Sequence, residues 1–193
     1  MAGRCLKMTP ISPTNYCKTV AFQPELLDIF REDIKVTQTK ARLRKFNYIG
    51  HSLSDSAKDS LDDYLVKLGY PLSQNVVLFH WPKNFEQGIH VDGLLPKIRH
   101  AALNFNLTSL IDLRVKWFQP APETIEDRVF ERRRDNEYIY VSPNVSELLY
   151  EEITPVCFLM KTDIPHQAIT NNESTILSIR FFGNPIYEDL CLI

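Results

Sequence analysis

The sequence predicts a mainly β protein whose strands follow a helical N-terminal part. From Asn75 onward the chain forms short apolar or alternating runs bounded by Pro, Asn, Asp and Gly, which is typical of strands. About eight such runs follow one another, and no helical pattern alternates with them. This order argues against a parallel α/β sheet and favours an antiparallel sandwich or a double-stranded β-helix.

Two helices are expected before the strands. Pro24 suits the first turn of a helix, and a short apolar stripe follows it at Leu26, Leu27 and Phe30. Ser54 is the expected N-cap of a second helix, which ends at Gly69 and Pro71. The apolar residues of this helix recur at helical spacing: Ala57, Leu61, Tyr64, Leu65 and Leu68.

The strands are expected in eight places along the second part of the chain. These are Val76 to Trp81, Gly88 to Val91, Ala101 to Leu107, Leu113 to Phe118, Tyr138 to Val141, Pro155 to Lys161, Gln167 to Thr170 and Thr175 to Phe182.

We expect a single domain over residues 1–193, because the chain has no internal repeat and no linker rich in glycine or serine. Its parts are a helical preface with flanking strands over 1–74, the β core over 75–183 and a C-terminal tail over 184–193. A chain of this length can bury a core without disulfides. The four cysteines lack the spacing of a disulfide scaffold and predict free thiols in a reducing, cytoplasmic setting: Cys5, Cys17, Cys157 and Cys191.

Charge and hydropathy exclude some partners. A net charge of −2 does not indicate a nucleic-acid-binding surface, and no apolar run approaches the ~20 residues that cross a bilayer. The sequence leaves the oligomeric state open.

His90, Asp92 and the distant His166 indicate a metal-binding site. Side chains alternate along a strand, so positions 90 and 92 point the same way and can hold one ion. Two histidines and a carboxylate can bind ferrous iron on one face and leave other positions open. The alternative is a buried hydrogen-bonded pair at positions 90 and 92, with an exposed loop histidine at 166.

Arg180 lies in an apolar strand in which Ser178 and Arg180 share one face. A buried guanidinium needs an anion, because burying it unpaired costs several kcal/mol. The anion is either a bound ligand's carboxylate, which we favour, or a protein carboxylate such as Asp163 or Glu152.

His90-x-Asp92, His166 and an arginine fourteen residues later resemble the Fe(II) and 2-oxoglutarate-dependent dioxygenases. The resemblance covers roughly residues 76–183 and implies a double-stranded β-helix of the jelly-roll or cupin-like type. It implies that the three residues bind Fe(II), with no catalytic residue beyond these ligands. It also implies that Arg180 and Ser178 bind 2-oxoglutarate, and that O2 is the other co-substrate.

A partial similarity to the aspartyl/asparaginyl β-hydroxylases concerns Arg99, which follows the first metal histidine and is implied to help hold 2-oxoglutarate. That branch often lacks the metal carboxylate, whereas this chain has Asp92. Asn104 either lines the co-substrate pocket or is a satisfied core amide. Several segments also resemble small oxygenase-like proteins of bacteria and tailed phages: Arg99 to Asn104, Lys116 to Phe118, Ile164 to His166 and Ser178 to Arg180.

The predicted function is a hydroxylase with an unidentified substrate, and two alternatives stay open. One is a cupin-like metal-dependent isomerase or dioxygenase, although its His-x-His with a following glutamate is missing. The other is a non-catalytic β-sandwich that binds a ligand or a protein. The charge run over 131–135 is expected to be a solvated loop, or else a lid for an anionic substrate.

Overall fold

The structure is a computed structural model that describes residues 15–40, 47–51, 53–94, 97–108, 112–120, 129–133, 136–140 and 147–193. It is mainly β, with two antiparallel sheets and few helices in this part of the chain. None of the helices in the described ranges has the length and apolar character needed to cross a membrane.

Three helices lie at the two ends of the described chain: α1 (Pro24–Lys40), α2 (Asp55–Lys67) and α3 (Tyr187–Cys191). Helix α2 begins after Ser54, whose hydroxyl accepts a hydrogen bond from the Ala57 N–H at 3.4 Å. It is followed by Gly69, whose φ of +75° lies in the left-handed region that favours glycine.

The strands β1 to β9 are, in chain order, Cys17–Thr19, Asn47–His51, Ser73–Trp81, Phe85–Glu86, His90–Val91, Gly93–Leu94, Lys97–Ile98, Ala101–Asn106 and Arg114–Gln119. The strands β10 to β15 are Val129–Arg133, Asn136–Tyr140, Glu147–Ile153, Cys157–Lys161, His166–Thr170 and Ser174–Phe181. The charged loop predicted over residues 131–135 is therefore wrong at 131–133, which belong to the strand Val129–Arg133 paired with Asn136–Tyr140. Arg134 and Asp135 lie outside the described residues.

The strands form two main sheets. The first sheet has the order β1-β13-β8-β15-β3-β2, and the second has the order β10-β11-β5-β14-β9-β12, with β4 also paired to β14. A separate short pair is formed by β6 and β7. Every pairing is antiparallel, so a parallel α/β arrangement is excluded in these ranges, as the sequence predicts.

Alternation along the strands of the first sheet creates two cores. Its outer face packs against the helices and forms the helix-side core, to which β15 contributes Leu177, Ile179 and Phe181. Its inner face meets the second sheet and forms the inter-sheet core, to which β15 contributes Ile176 and β9 contributes Trp117. The described cysteines Cys17, Cys157 and Cys191 form no disulfide. Both cores consist largely of apolar side chains, and their burial stabilises the fold.

Candidate metal site

The two predicted histidines lie side by side on neighbouring strands of the second sheet. His90 begins β5, His166 begins β14, and the two residues are directly opposite in the antiparallel pairing. Their ring centroids are 4.4 Å apart, and Asp92 follows two residues after His90. The fold thus brings His166, which is distant in sequence, next to His90 and Asp92.

The three side chains point their donor atoms at one another. The Asp92 Oδ1 atom lies 3.5 Å from the Nε2 atom of His90 and 4.0 Å from the Nε2 atom of His166. All three residues are buried, and their donor atoms lie within 4.8 Å of one another. Two donors about 2.1 Å from one ion, at right angles, are about 3 Å apart. A modest contraction of these distances would suit an ion, so the group could hold a metal.

Backbone carbonyls orient both imidazole rings. The Nδ1 atom of His90 lies 2.8 Å from the Gly88 oxygen, and that of His166 lies 2.9 Å from the Ile164 oxygen. These contacts assign the proton to Nδ1, so that each Nε2 atom carries the lone pair that a metal needs.

The buried carboxylate and imidazole have shifted pKa values. Burial acts to raise the pKa of Asp92, but Arg180 and the two histidines outweigh it and hold this pKa well below its usual range. Burial, together with the neighbouring His90, lowers the pKa of His166 to about 4. At neutral pH Asp92 is therefore ionised and His166 is neutral, which are the protonation states required of metal ligands.

Arg180 meets a carboxylate that the sequence analysis did not expect. Its Nη2 atom donates to the Asp92 Oδ2 atom at 2.6 Å, so neither Asp163 nor Glu152 is its protein partner. Asp163 instead accepts from the His100 Nδ1 atom at 2.8 Å. Asp92 therefore uses one oxygen for the guanidinium and directs the other at the two histidines.

Unused donors remain beside this ion pair. The Arg180 Nη1 atom and the Ser178 hydroxyl oxygen are buried and have no hydrogen-bond partner within the described ranges. Unpaired buried donors are costly, and each such group calls for an explanation such as a ligand or ordered water.

These donors and the triad line one cavity of about 40 Å³ between the sheets. Its other walls are largely apolar and include Trp81, Phe158 and Met160. A volume of this size holds about three water molecules. The site is therefore a small cavity with largely apolar walls, into which both sheets direct charged or polar groups.

Two other predicted residues have different positions. Asn104 is buried and lines the cavity, with its Nδ2 atom donating to the Ala102 oxygen at 3.3 Å. Arg99 does not line it, and its Nη1 atom donates to the Gln74 Oε1 atom at 2.8 Å in an exposed position. Arg99 lies in the two-residue irregular segment between β7 and β8, outside the alternation that directs Asn104 into the cavity. Its expected contact with a co-substrate in this cavity does not follow from this geometry.

Gln87 belongs to the site but has no role in the sequence analysis. Its buried amide lines the cavity, and its Nε2 atom lies 3.2 Å from the His90 Nε2 atom, to which it donates. An ion bound by His90 would replace this hydrogen bond. No periodic pattern marks Gln87, because it precedes β5 in an irregular segment.

Comparisons with known proteins find likeness in structure only. No protein-family model matches the chain, and no curated protein matches it significantly. A prolyl-4-hydroxylase from Pseudomonas putida aligns with 91% of this chain and 97% of its own, at 13% identity and a TM-score of 0.47. HygX from Streptomyces hygroscopicus, solved with nickel and 2-oxoglutarate bound, aligns over 86% of this chain and 82% of its own, at 11% identity and a TM-score of 0.47.

The E. coli protein ycfD matches 58% of this chain at 14% identity and a TM-score of 0.37, and the match spans only 26% of ycfD. With TM-scores of at most 0.47 and identities of at most 14%, these likenesses do not decide what the site does.

Proposed function

We propose that the chain is a non-haem iron oxygenase that couples the oxidative decarboxylation of 2-oxoglutarate to the hydroxylation of a substrate. The observation that carries this proposal is the sharing of one cavity by two kinds of group. A His-Asp-His cluster able to hold a metal faces the same space as a buried guanidinium with an unpaired N–H. A metal would bind to the lone pairs of the cluster, and a carboxylate would accept hydrogen bonds from the unpaired N–H and O–H groups.

The strand order supports a double-stranded β-helix as the underlying fold. The series β3-β15-β8-β13 lies in the first sheet, and the series β5-β14-β9-β12 lies in the second. Eight antiparallel strands divided between two facing sheets are the arrangement of a jelly roll. In this arrangement the proposed ligands lie on the second sheet and the proposed carboxylate-binding residues lie on the first.

In this proposal His90, Asp92 and His166 bind Fe(II) through Nε2, Oδ1 and Nε2. The bound iron supplies the chemistry of oxygen activation. The protein supplies position and charge: the carbonyls of Gly88 and Ile164 hold both rings in the required tautomer.

Arg180 is proposed to bind the distal carboxylate of 2-oxoglutarate. It holds Asp92 through Nη2 and presents Nη1 as a further donor, with the Ser178 hydroxyl on the same strand face. Asn104 lies opposite Ser178 on the neighbouring strand and extends the polar end of the cavity. A guanidinium suits this task because it stays charged when buried and has several donors in one plane.

The cavity must widen for this ligand, because 2-oxoglutarate is larger than about 40 Å³. Met160 is suited to such a change, since it lines the cavity with a flexible, unbranched side chain. We therefore expect the bound state to differ from this structure in the rotamers of lining residues.

Anaerobic addition of Fe(II) and 2-oxoglutarate to the purified protein tests the proposal. We expect the weak visible charge-transfer band of the chelate, and we expect His166→Ala to abolish it. The matched control is His80→Gln, because His80 lies on β3 and bonds to Thr175 rather than to the triad. Wild-type protein without a band, or a band that survives His166→Ala, would contradict the proposal.

Arg180→Met separates the two parts of the site. We expect this variant to bind Co(II) but to require at least about tenfold more 2-oxoglutarate for the band, because a charge-assisted bond is worth about 1.5–3 kcal/mol. Arg114→Met is the control, since Arg114 is a surface residue that contacts Glu151. An unchanged requirement for 2-oxoglutarate would remove Arg180 from the proposed role.

A further inference from the structure

Thr162 is a buried residue that hydrogen-bonds to Asp92 and lies shortly before His166 in the chain. It follows β13, precedes His166 by four residues and has no exposed surface. Its amide, carbonyl and hydroxyl groups each make a hydrogen bond to another part of the chain. Buried polar groups are normally hydrogen-bonded, so the informative feature is not the number of these bonds but the residues to which they lead.

All three bonds of Thr162 lead to Asp92 or to the segment that follows it. The Thr162 oxygen accepts from the Asp92 N–H at 3.0 Å, and the Thr162 N–H donates to the His100 oxygen at 3.1 Å. The Thr162 hydroxyl donates to the Arg99 oxygen at 2.7 Å, and the Arg99 N–H donates to the Asp92 oxygen at 2.8 Å. The result is a closed network through Thr162, Arg99 and Asp92.

The sheet itself does little to position Asp92 against His166. Strand β5 has two residues, and its described pairing with β14 is confined to His90 opposite His166. Asp92 lies beyond that strand, where the described ladder no longer continues. Within the described residues, the Thr162 network therefore ties the backbone of Asp92 to the segment leading into His166.

We propose that Thr162 is a positioning residue that holds Asp92 in register with His166 and so sets the affinity of the site for a divalent cation. This inference rests on the proposed metal site. It acts through the backbone of Asp92, and Thr162 itself contacts no metal.

Cobalt(II) titration of the full chain, followed by its visible absorption, tests the inference. Thr162→Val keeps the shape and the backbone bond to Asp92 but removes the hydroxyl bond to the Arg99 oxygen. Because this hydroxyl reaches Asp92 only through Arg99, we expect a loss of Co(II) affinity of about tenfold, the lower end of the loss caused by removing a group bonded directly to a metal ligand. Thr162→Ser restores the hydroxyl and should bind within about threefold of the wild type. The matched control is Thr154→Val, because the Thr154 hydroxyl is also fully buried and donates to a backbone oxygen, that of Leu113, at 3.2 Å.

Hydrogen exchange in the wild-type protein gives a second measurement that needs no variant. We expect saturating Co(II) to slow exchange at the amides of Asp92, Arg99 and Thr162 more than at the Thr154 amide, which donates to Leu113. This measurement decides the matter if Thr162→Val does not fold.

The outcomes distinguish the two proposals. Wild-type protein that binds no Co(II) would overturn the metal site and this inference with it. Binding by the wild type, with equal affinity in Thr162→Val and Thr154→Val, would overturn only the role of Thr162. Equal slowing of exchange at Thr154 and at the network amides would do the same.

Discussion

The two cores of this molecule differ in what they bury. The helix-side core consists of apolar and aromatic side chains, with Phe30, Leu65 and Phe105 among those that are almost completely buried. The interior between the sheets combines apolar walls with Asp92, Arg180 and two histidines. The difference shows a division of labour: the helix-side core contributes mainly stability, whereas the interior between the sheets holds charges that a ligand can use.

The largest expected effect tests whether stability depends on the helix-side core. Phe30 is fully buried in α1 and its ring lies 5.1 Å from that of Phe105 in an edge-on contact. Phe30→Ala should lower the free energy of unfolding by about 3–5 kcal/mol, since it leaves a cavity and removes the ring contact. Urea denaturation measures this change, and Phe30→Leu should lose less.

The same Phe30→Ala protein should bind Co(II) within about twofold of the wild type where it is folded, because distant sites act independently. A large loss of affinity would show that the two cores are coupled and that the comparison fails.

The next effect concerns the charges between the sheets. The pKa of His166 is lowered from 6.5 to about 4 in the folded chain, so between about pH 6.5 and pH 4 the unfolded chain binds a proton that the folded chain does not. The free energy of unfolding of the metal-free protein should therefore fall between about pH 6.5 and pH 4, by on the order of 3 kcal/mol. Asp92, whose pKa is held low, adds to the loss as the pH falls below about 4.

Urea denaturation at a series of pH values, with a chelator present, measures this loss. His166→Gln should flatten the dependence between pH 6.5 and 4, while His80→Gln should keep it. The same slope in wild type and His166→Gln would mean that another group is responsible.

The smallest expected effect is a loss of stability at the N-cap of α2, a helix that packs on the helix-side core. Ser54→Ala removes the hydroxyl that caps α2 and should cost about 1 kcal/mol of stability without altering Co(II) affinity. Ser60→Ala is the control, because the half-buried Ser60 hydroxyl donates to the Ser56 oxygen within the same helix, does not cap it, and alanine favours helix. Thermal denaturation of the two variants should rank them in this order, and equal melting temperatures would contradict the capping role.

Much of the β region could be predicted because its apolar alternation is strong. The predicted strand at Val76 to Trp81 lies within Ser73–Trp81, and that at Thr175 to Phe182 closely matches Ser174–Phe181. Val129–Arg133 was missed because its charged residues hide the alternation. Glu147–Ile153 was missed for a related reason: at the end of the second sheet it exposes most of its side chains, so charged and apolar residues share the exposed surface.

The site was partly predictable for the same physical reason. Local alternation brings His90 and Asp92 to one face, whereas the meeting with His166 depends on which strands pair across the chain. The ion pair of Arg180 with Asp92 depends on how the two sheets face each other, which no local pattern specifies. Gln87 was missed because it lies outside any regular element.

Strand β15 contributes to both cores, with odd-numbered residues toward the helices and even-numbered residues toward the interior. Gain or loss of a single codon within it would exchange these faces, burying Arg180 among apolar helices and turning Ile179 into the cavity. A change of length within this strand should therefore disrupt both cores at once.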